Sequence, residues 1–139
     1  MNYWLLSAAA ATGLAAILHL GCIAFGATWY RFFGAGEAMA KLAEQGSWRP
    51  TLVTLVIFIA LSLWTAYALA GAQLLPKLPL LKLALVLISC IFLLRGIGGF
   101  WFVSNPLGRS PEFWIWSSLI CASIGLLYLV GTLQVWKEI

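Results

Sequence analysis

The sequence predicts an all-α integral membrane protein, a four-helix bundle with a short amphipathic helix in its first connection. Three observations carry that reading. Hydrophobic residues fill 63% of the 139 positions and charged residues 9%. A soluble domain has about 25% charged residues, and so short a chain cannot hide this much apolar surface from water. The apolar residues also fall into four runs, about 3–29, 51–75, 80–103 and 113–136, each longer than the roughly 20 residues that cross a ~30 Å hydrocarbon core. Finally, none of the runs alternates like a barrel strand, and irregular backbone cannot face lipid, so each is expected as a helix. Residues 1–139 read as a single transmembrane domain.

The element boundaries follow from local punctuation. The Ala8–Ala11 run resembles a signal peptide in its small residues, but no basic segment precedes it and the apolar stretch continues past any cleavage site. Leu18-His19-Leu20-Gly21-Cys22 matches a lipoprotein cleavage box poorly, since His19 stands where an aliphatic residue belongs. The first run is therefore expected to be a retained helix. Pro50 and Pro79 suit first helical positions, and Pro76-Lys77-Leu78-Pro79 makes a tight link between helices two and three. Asn105-Pro106-Leu107-Gly108 ends helix three, and Ser110-Pro111-Glu112 supplies an N-cap, a first-turn proline and an acid for helix four. In the long connection 30–49, Gly36 to Gln45 reads as a short helix with Glu37 and Lys41 at i, i+4. Met39, Leu42 and Ala43 would share one face, suited to the membrane interface or to capping the bundle as a lid.

The net charge of +4 does not point to nucleic acid, because the eight Lys and Arg stand singly, most of them near the ends of apolar runs. They divide almost evenly between the two sides. The wholly basic second link favours cytoplasmic termini. Cys22, Cys90 and Cys121 each lie on a different helix with no C-x-x-C spacing, so they read as packing residues rather than a thiol-exchange pair. Trp and Tyr gather at both ends of the runs, with an excess on the side away from the termini.

Two ionisable side chains fall inside the runs, His19 in helix one and Arg95 in helix three. Such residues are costly at membrane depth and mark candidate sites. Counting from Trp29 and Val103, they lie roughly 15 Å and 12 Å in from the same side at 1.5 Å per residue. Arg95 shares helical spacing with Ile91, Phe92, Gly98 and Gly99, and on helix four Ser118, Cys121, Ala122 and Gly125 form a small, weakly polar stripe. The only acids are Glu37, Glu44, Glu112 and Glu138, none within a run. Arg95 must therefore snorkel, bond carbonyls and hydroxyls, pair with Glu37 or Glu112 at the rim, or hold an external anion.

The same scarcity of acids argues against a proton-coupled exporter. One His and scattered Cys supply no haem or metal site, and no nucleotide-binding or hydrolase motif occurs, so no cofactor or metal is implied. The expected function is non-enzymatic binding of an amphipathic or lipid-like molecule between helices one, three and four. Arg95 would meet its head, with His19 and Ser118 nearby, and Phe92, Phe58 and Trp101 would line the apolar part. Membrane lipid is the expected partner. The alternatives are an accessory or assembly subunit, docked on a membrane-protein partner or a second copy, and a lipid-acting enzyme with His19 as acid–base. No carboxylate is in sight to orient His19 in that last role.

Phe92-Leu93-Leu94-Arg95-Gly96-Ile97-Gly98-Gly99-Phe100, with its Leu-Arg-x-x-Gly pattern, and His19 followed by small residues together carry a resemblance. On these residues the chain resembles a family of small, uncharacterised four-helix bacterial membrane proteins, known as a domain of unknown function. The resemblance implies the four-helix architecture, a bacterial cytoplasmic membrane location and roles for His19 and Arg95, but no activity. Members carry an acid just after the helix-three glycines. Here Gly99-Phe100-Trp101 stands in that place and offers Arg95 no partner.

Overall fold

The structure, a computed structural model, describes residues 1–139 and is all-helical. Four long apolar helices are able to span a membrane: α1 (Tyr3–Phe25), α4 (Arg49–Gly71), α5 (Leu81–Gly99) and α6 (Pro111–Val135). Two short helices, α2 (Ala27–Phe32) and α3 (Glu37–Glu44), form an elbow between α1 and α4. A single 3-10 turn, Phe100–Val103, extends α5. At most a third of the residues in each span are buried against protein, which leaves the remaining apolar surface for lipid. The fold is that of a multi-pass membrane protein.

The N-termini of α1 and α6 are both capped, that of α6 by the serine the sequence singles out. Asn2 accepts the Leu5 N–H at 2.8 Å, and Ser110 accepts that of Phe113 at 3.1 Å. The ends differ more from expectation. Helix one stops at Phe25 rather than near Trp29, because Gly26 takes φ 74°, a conformation open to glycine. Trp29 then folds back, stacks on Phe25 at 4.7 Å and covers Gly21 so closely that a Cβ there would collide with its ring. Helix two ends at Gly71, since Ala72–Leu75 are spent in a turn where Gln73 has φ 69°.

The spans pair as two antiparallel hairpins, α1 with α4 and α5 with α6. These meet chiefly through α1 and α6, with a lighter α4–α5 contact, while α1 and α5 lie apart. Small residues set the close approaches. Gly96 lies against the Ala122 backbone, Gly125 against Leu93, and Gly131 against Leu5.

At mid-depth the hairpins are joined by one polar knot. The fully buried Tyr128 of α6 stacks on Phe92 at 5.7 Å, and Phe92 meets Trp64 of α4 edge-on at 5.3 Å. The Tyr128 hydroxyl lies 2.9 Å from Thr12 Oγ1 and 3.2 Å from the Trp64 carbonyl, while Thr12 Oγ1 lies 2.7 Å from the Ala8 carbonyl. Two hydroxyl protons serve these three contacts. Thr12 donates to Ala8 or to Tyr128, and Tyr128 donates to Trp64 or to Thr12, so one of the three contacts is always without a proton.

The α2–α3 elbow closes the end of the bundle away from the termini. Tyr30 is buried with its hydroxyl 3.0 Å from Thr54 Oγ1 of α4. Gly34, at φ 76°, is pressed against the Phe113 ring of α6, where a Cβ would overlap the ring. Within the elbow Arg31 donates to Glu37 at 2.8 Å and 3.2 Å and to Glu44 at 2.6 Å. These bonds hold Glu37 below the usual carboxylate range and raise the Arg31 guanidinium.

The sign of the resulting pH dependence follows from the lowered Glu37. The pair supports the elbow fully above the ordinary Glu value of 4.5 and loses that support as pH falls through the lowered value. Arg31→Gln is therefore expected to speed amide exchange across Ala38–Leu42 at neutral pH, and the gap to wild type should close under acid. A gap that persists at low pH would show that the pairing does not order α3.

Candidate functional site

Arg95 continues the buried stripe of α5, which runs Leu81, Leu85, Ile88 and Phe92 and goes on to Gly99. The neighbours expected to share its face, Ile91 and Gly98, are instead exposed. A guanidinium thus occupies a core position one turn above the Phe92–Tyr128 knot.

Its head turns toward α6. Nη2 donates to Ser117 Oγ at 3.0 Å, and the guanidinium carbon sits 4.9 Å from the centre of the buried Trp114 ring. Trp114 is held by its indole N–H, which donates to the Pro106 carbonyl at 2.7 Å, and by stacking on Phe102 at 4.8 Å. A second guanidinium, that of Arg109, lies 5.6 Å from the Trp114 ring and 5.1 Å from Phe113. Arg109 Nε donates to the Ala35 carbonyl at 3.3 Å, tying the site to the elbow. Burial, and then the positive charge of Arg95, push the Arg109 guanidinium below its ordinary value, though arginine stays charged in proteins.

Neither guanidinium has a carboxylate partner. The ion pairs of the chain are those of Arg31 with Glu37 and Glu44, so Glu37 is engaged away from Arg95, and Glu112 pairs with neither arginine. Three buried side-chain polar atoms have no hydrogen-bond partner; one is Thr132 Oγ1, further along α6, and the other two are Arg95 Nη1 and Ser118 Oγ. Both border the same point. A Cβ placed on Gly99 would stand 2.6 Å from Nη1 and would overlap Ser118 Oγ. Gly99 is what leaves them room. Buried donors and acceptors of this kind are few in folded proteins and call for a partner such as water or a ligand atom.

The other sequence-predicted residues are dispersed. Leu5 lies against Gly131 and Thr12 bonds Tyr128, so the antiparallel register brings His19 level with about Cys121, close to the depth of Arg95. However, the backbones of α1 and α5 stay apart, and no hydrogen bond joins the two residues. His19 Nδ1 lies 2.7 Å from the Ala15 carbonyl. A carbonyl only accepts, so Nδ1 is the donor of this bond. Phe92 belongs to the aromatic knot and Phe58 is half-buried beside the core. Trp101 faces outward, 75% exposed. The turn at Phe100–Val103 has three residues per turn instead of 3.6, and it is Phe102 that comes round onto Trp114.

Arg109 and Ser117 carry no distinguishing signal in the sequence, and Trp114 is one of the aromatics in excess on the side away from the termini. Arg109 looks like any loop cation and Trp114 like a belt aromatic. No three His, Cys or Glu side chains gather in metal-binding geometry. Comparison with known proteins finds no family model that matches the chain, and no curated protein or solved structure that matches it.

Proposed function

We propose that the protein binds an amphipathic, lipid-like molecule by an anionic or strongly accepting head at Arg95 and Arg109. The single observation behind this reading is a pair of acid-free guanidiniums at Trp114, one of them with an unpartnered N–H beside an unpartnered serine hydroxyl. At low dielectric, two cations set against one aromatic ring disfavour each other, and an anionic head within reach of both relieves them. The site sits in the half of the bundle away from the termini, within reach of headgroups on that side. Ser117 orients the Arg95 fork, Trp114 backs it, and the elbow limits access through Ala35 and Gly34. His19 has no part in this head site, and its ring is held by a backbone carbonyl rather than by a carboxylate that would support acid–base work.

The test is to purify the wild type and Arg95→Leu in mild detergent and compare their bound small molecules by mass spectrometry. One species enriched in wild type and lost from the variant is expected. Identical bulk lipid in both would overturn the proposal and favour an accessory or assembly role, with Arg95 as a packing residue.

A further inference from the structure

A second feature lies on the opposite face of α5 and in the other half of the bilayer. Val86, Ser89 and Leu93 of α5 and Leu129, Leu133 and Trp136 of α6 line an almost wholly apolar groove of about 250 Å³ that opens to the side. Lys82 stands on the same helical stripe as Val86, Ser89 and Leu93, at the terminal-side rim, with its ammonium 4.6 Å from the Trp136 ring centre. It has no carboxylate partner. The one acid on this side, Glu138, accepts from Gln73 and has its backbone carbonyl bonded by Lys77.

From Lys82 to Leu93 the helix rises roughly 16 Å at 1.5 Å per residue, which is about half of a ~30 Å hydrocarbon core, one leaflet's depth. An apolar groove of that length, open to the side and ending at a lone ammonium, has the polarity pattern of a phospholipid, an apolar chain below an anionic head.

We infer that this groove holds one acyl chain of an anionic phospholipid from the leaflet on the side of the termini, with the lipid phosphate against Lys82. Trp136 closes the groove at headgroup level and steers the ammonium toward the phosphate. The site is independent of Arg95 and uses the opposite leaflet.

The experiment is native mass spectrometry of delipidated protein in detergent, titrated with phosphatidylglycerol or phosphatidylcholine. In an Arg95→Leu background, which removes the head site of the proposed function, the protein should retain phosphatidylglycerol about fivefold more than phosphatidylcholine, the preference one Lys gives near a membrane surface. Adding Lys82→Gln should abolish that preference. Cys90→Trp, which fills the groove from an exposed position, should lower the bound count by one, while Ile59→Trp on the lipid face of α4 should not. Equal retention of the two lipids in the Arg95→Leu background, or a count unchanged in Cys90→Trp, overturns the inference.

Discussion

Gly96→Ala is expected to destabilise the protein by about 2–3 kcal/mol, the upper part of the range for overpacking. The same change two residues on, Gly98→Ala, should be neutral or stabilising by up to about 1 kcal/mol. The chemistry is identical at both sites and both lie in α5, so intrinsic helix propensity favours alanine equally. The surroundings differ. A Cβ at Gly96 would stand 2.5 Å from the Ala122 backbone nitrogen and 2.7 Å from its Cα, whereas a Cβ at Gly98 meets nothing within 4 Å. Backbone cannot rotate away as a side chain can, so α5 and α6 must separate, and with them the support under Arg95. Reversible unfolding in mixed micelles with rising SDS, followed by circular dichroism, measures both changes. Effects of equal sign and size would mean that α5 and α6 do not pack through Gly96.

Tyr128→Ala should cost about 2–3 kcal/mol, in the lower part of the range for large-to-small core changes. The transfer contribution is reduced because lipid, not water, surrounds the separated helices, and what remains is the cavity and the lost packing. The ring touches Phe92, and its hydroxyl reaches Thr12 and Trp64, so one truncation loosens contacts to α1, α4 and α5 together. Tyr128→Phe keeps the ring and removes the hydroxyl. It should cost only about 0.6 kcal/mol, the average for an interhelical hydrogen bond in a membrane. If the phenylalanine variant proved as damaging as the alanine one, the hydroxyl rather than the ring would be the joint. The same SDS titration separates the two.

The spans themselves were legible because hydrocarbon thickness dictates their length, and Pro50, Ser110 and Pro111 announced their starts. Arg95 was legible too, since an unpaired charge inside an apolar run stands out against every neighbour. The helix faces were not. In water the apolar stripe of a helix names its buried side, but in lipid both sides are apolar and the periodicity fades. Ile91 and Phe92 are equally apolar, yet one faces outward and the other packs on Tyr128. For the same reason His19 and Arg95 were expected together, although the α1 and α5 backbones stay apart. The Arg109–Trp114 half of the site needed tertiary structure. It depends on the turn at Phe100–Val103, on the Pro106 carbonyl, and on an elbow whose break at Gly26 lies within an unbroken apolar run.

The most direct test of the head site counts the retained amphiphile per protein by native mass spectrometry in wild type, Arg95→Leu, Arg109→Gln and His19→Gln. A site built on the two guanidiniums predicts that the count falls in both arginine variants and holds in His19→Gln. A count that falls with His19 and is indifferent to Arg109 would contradict it.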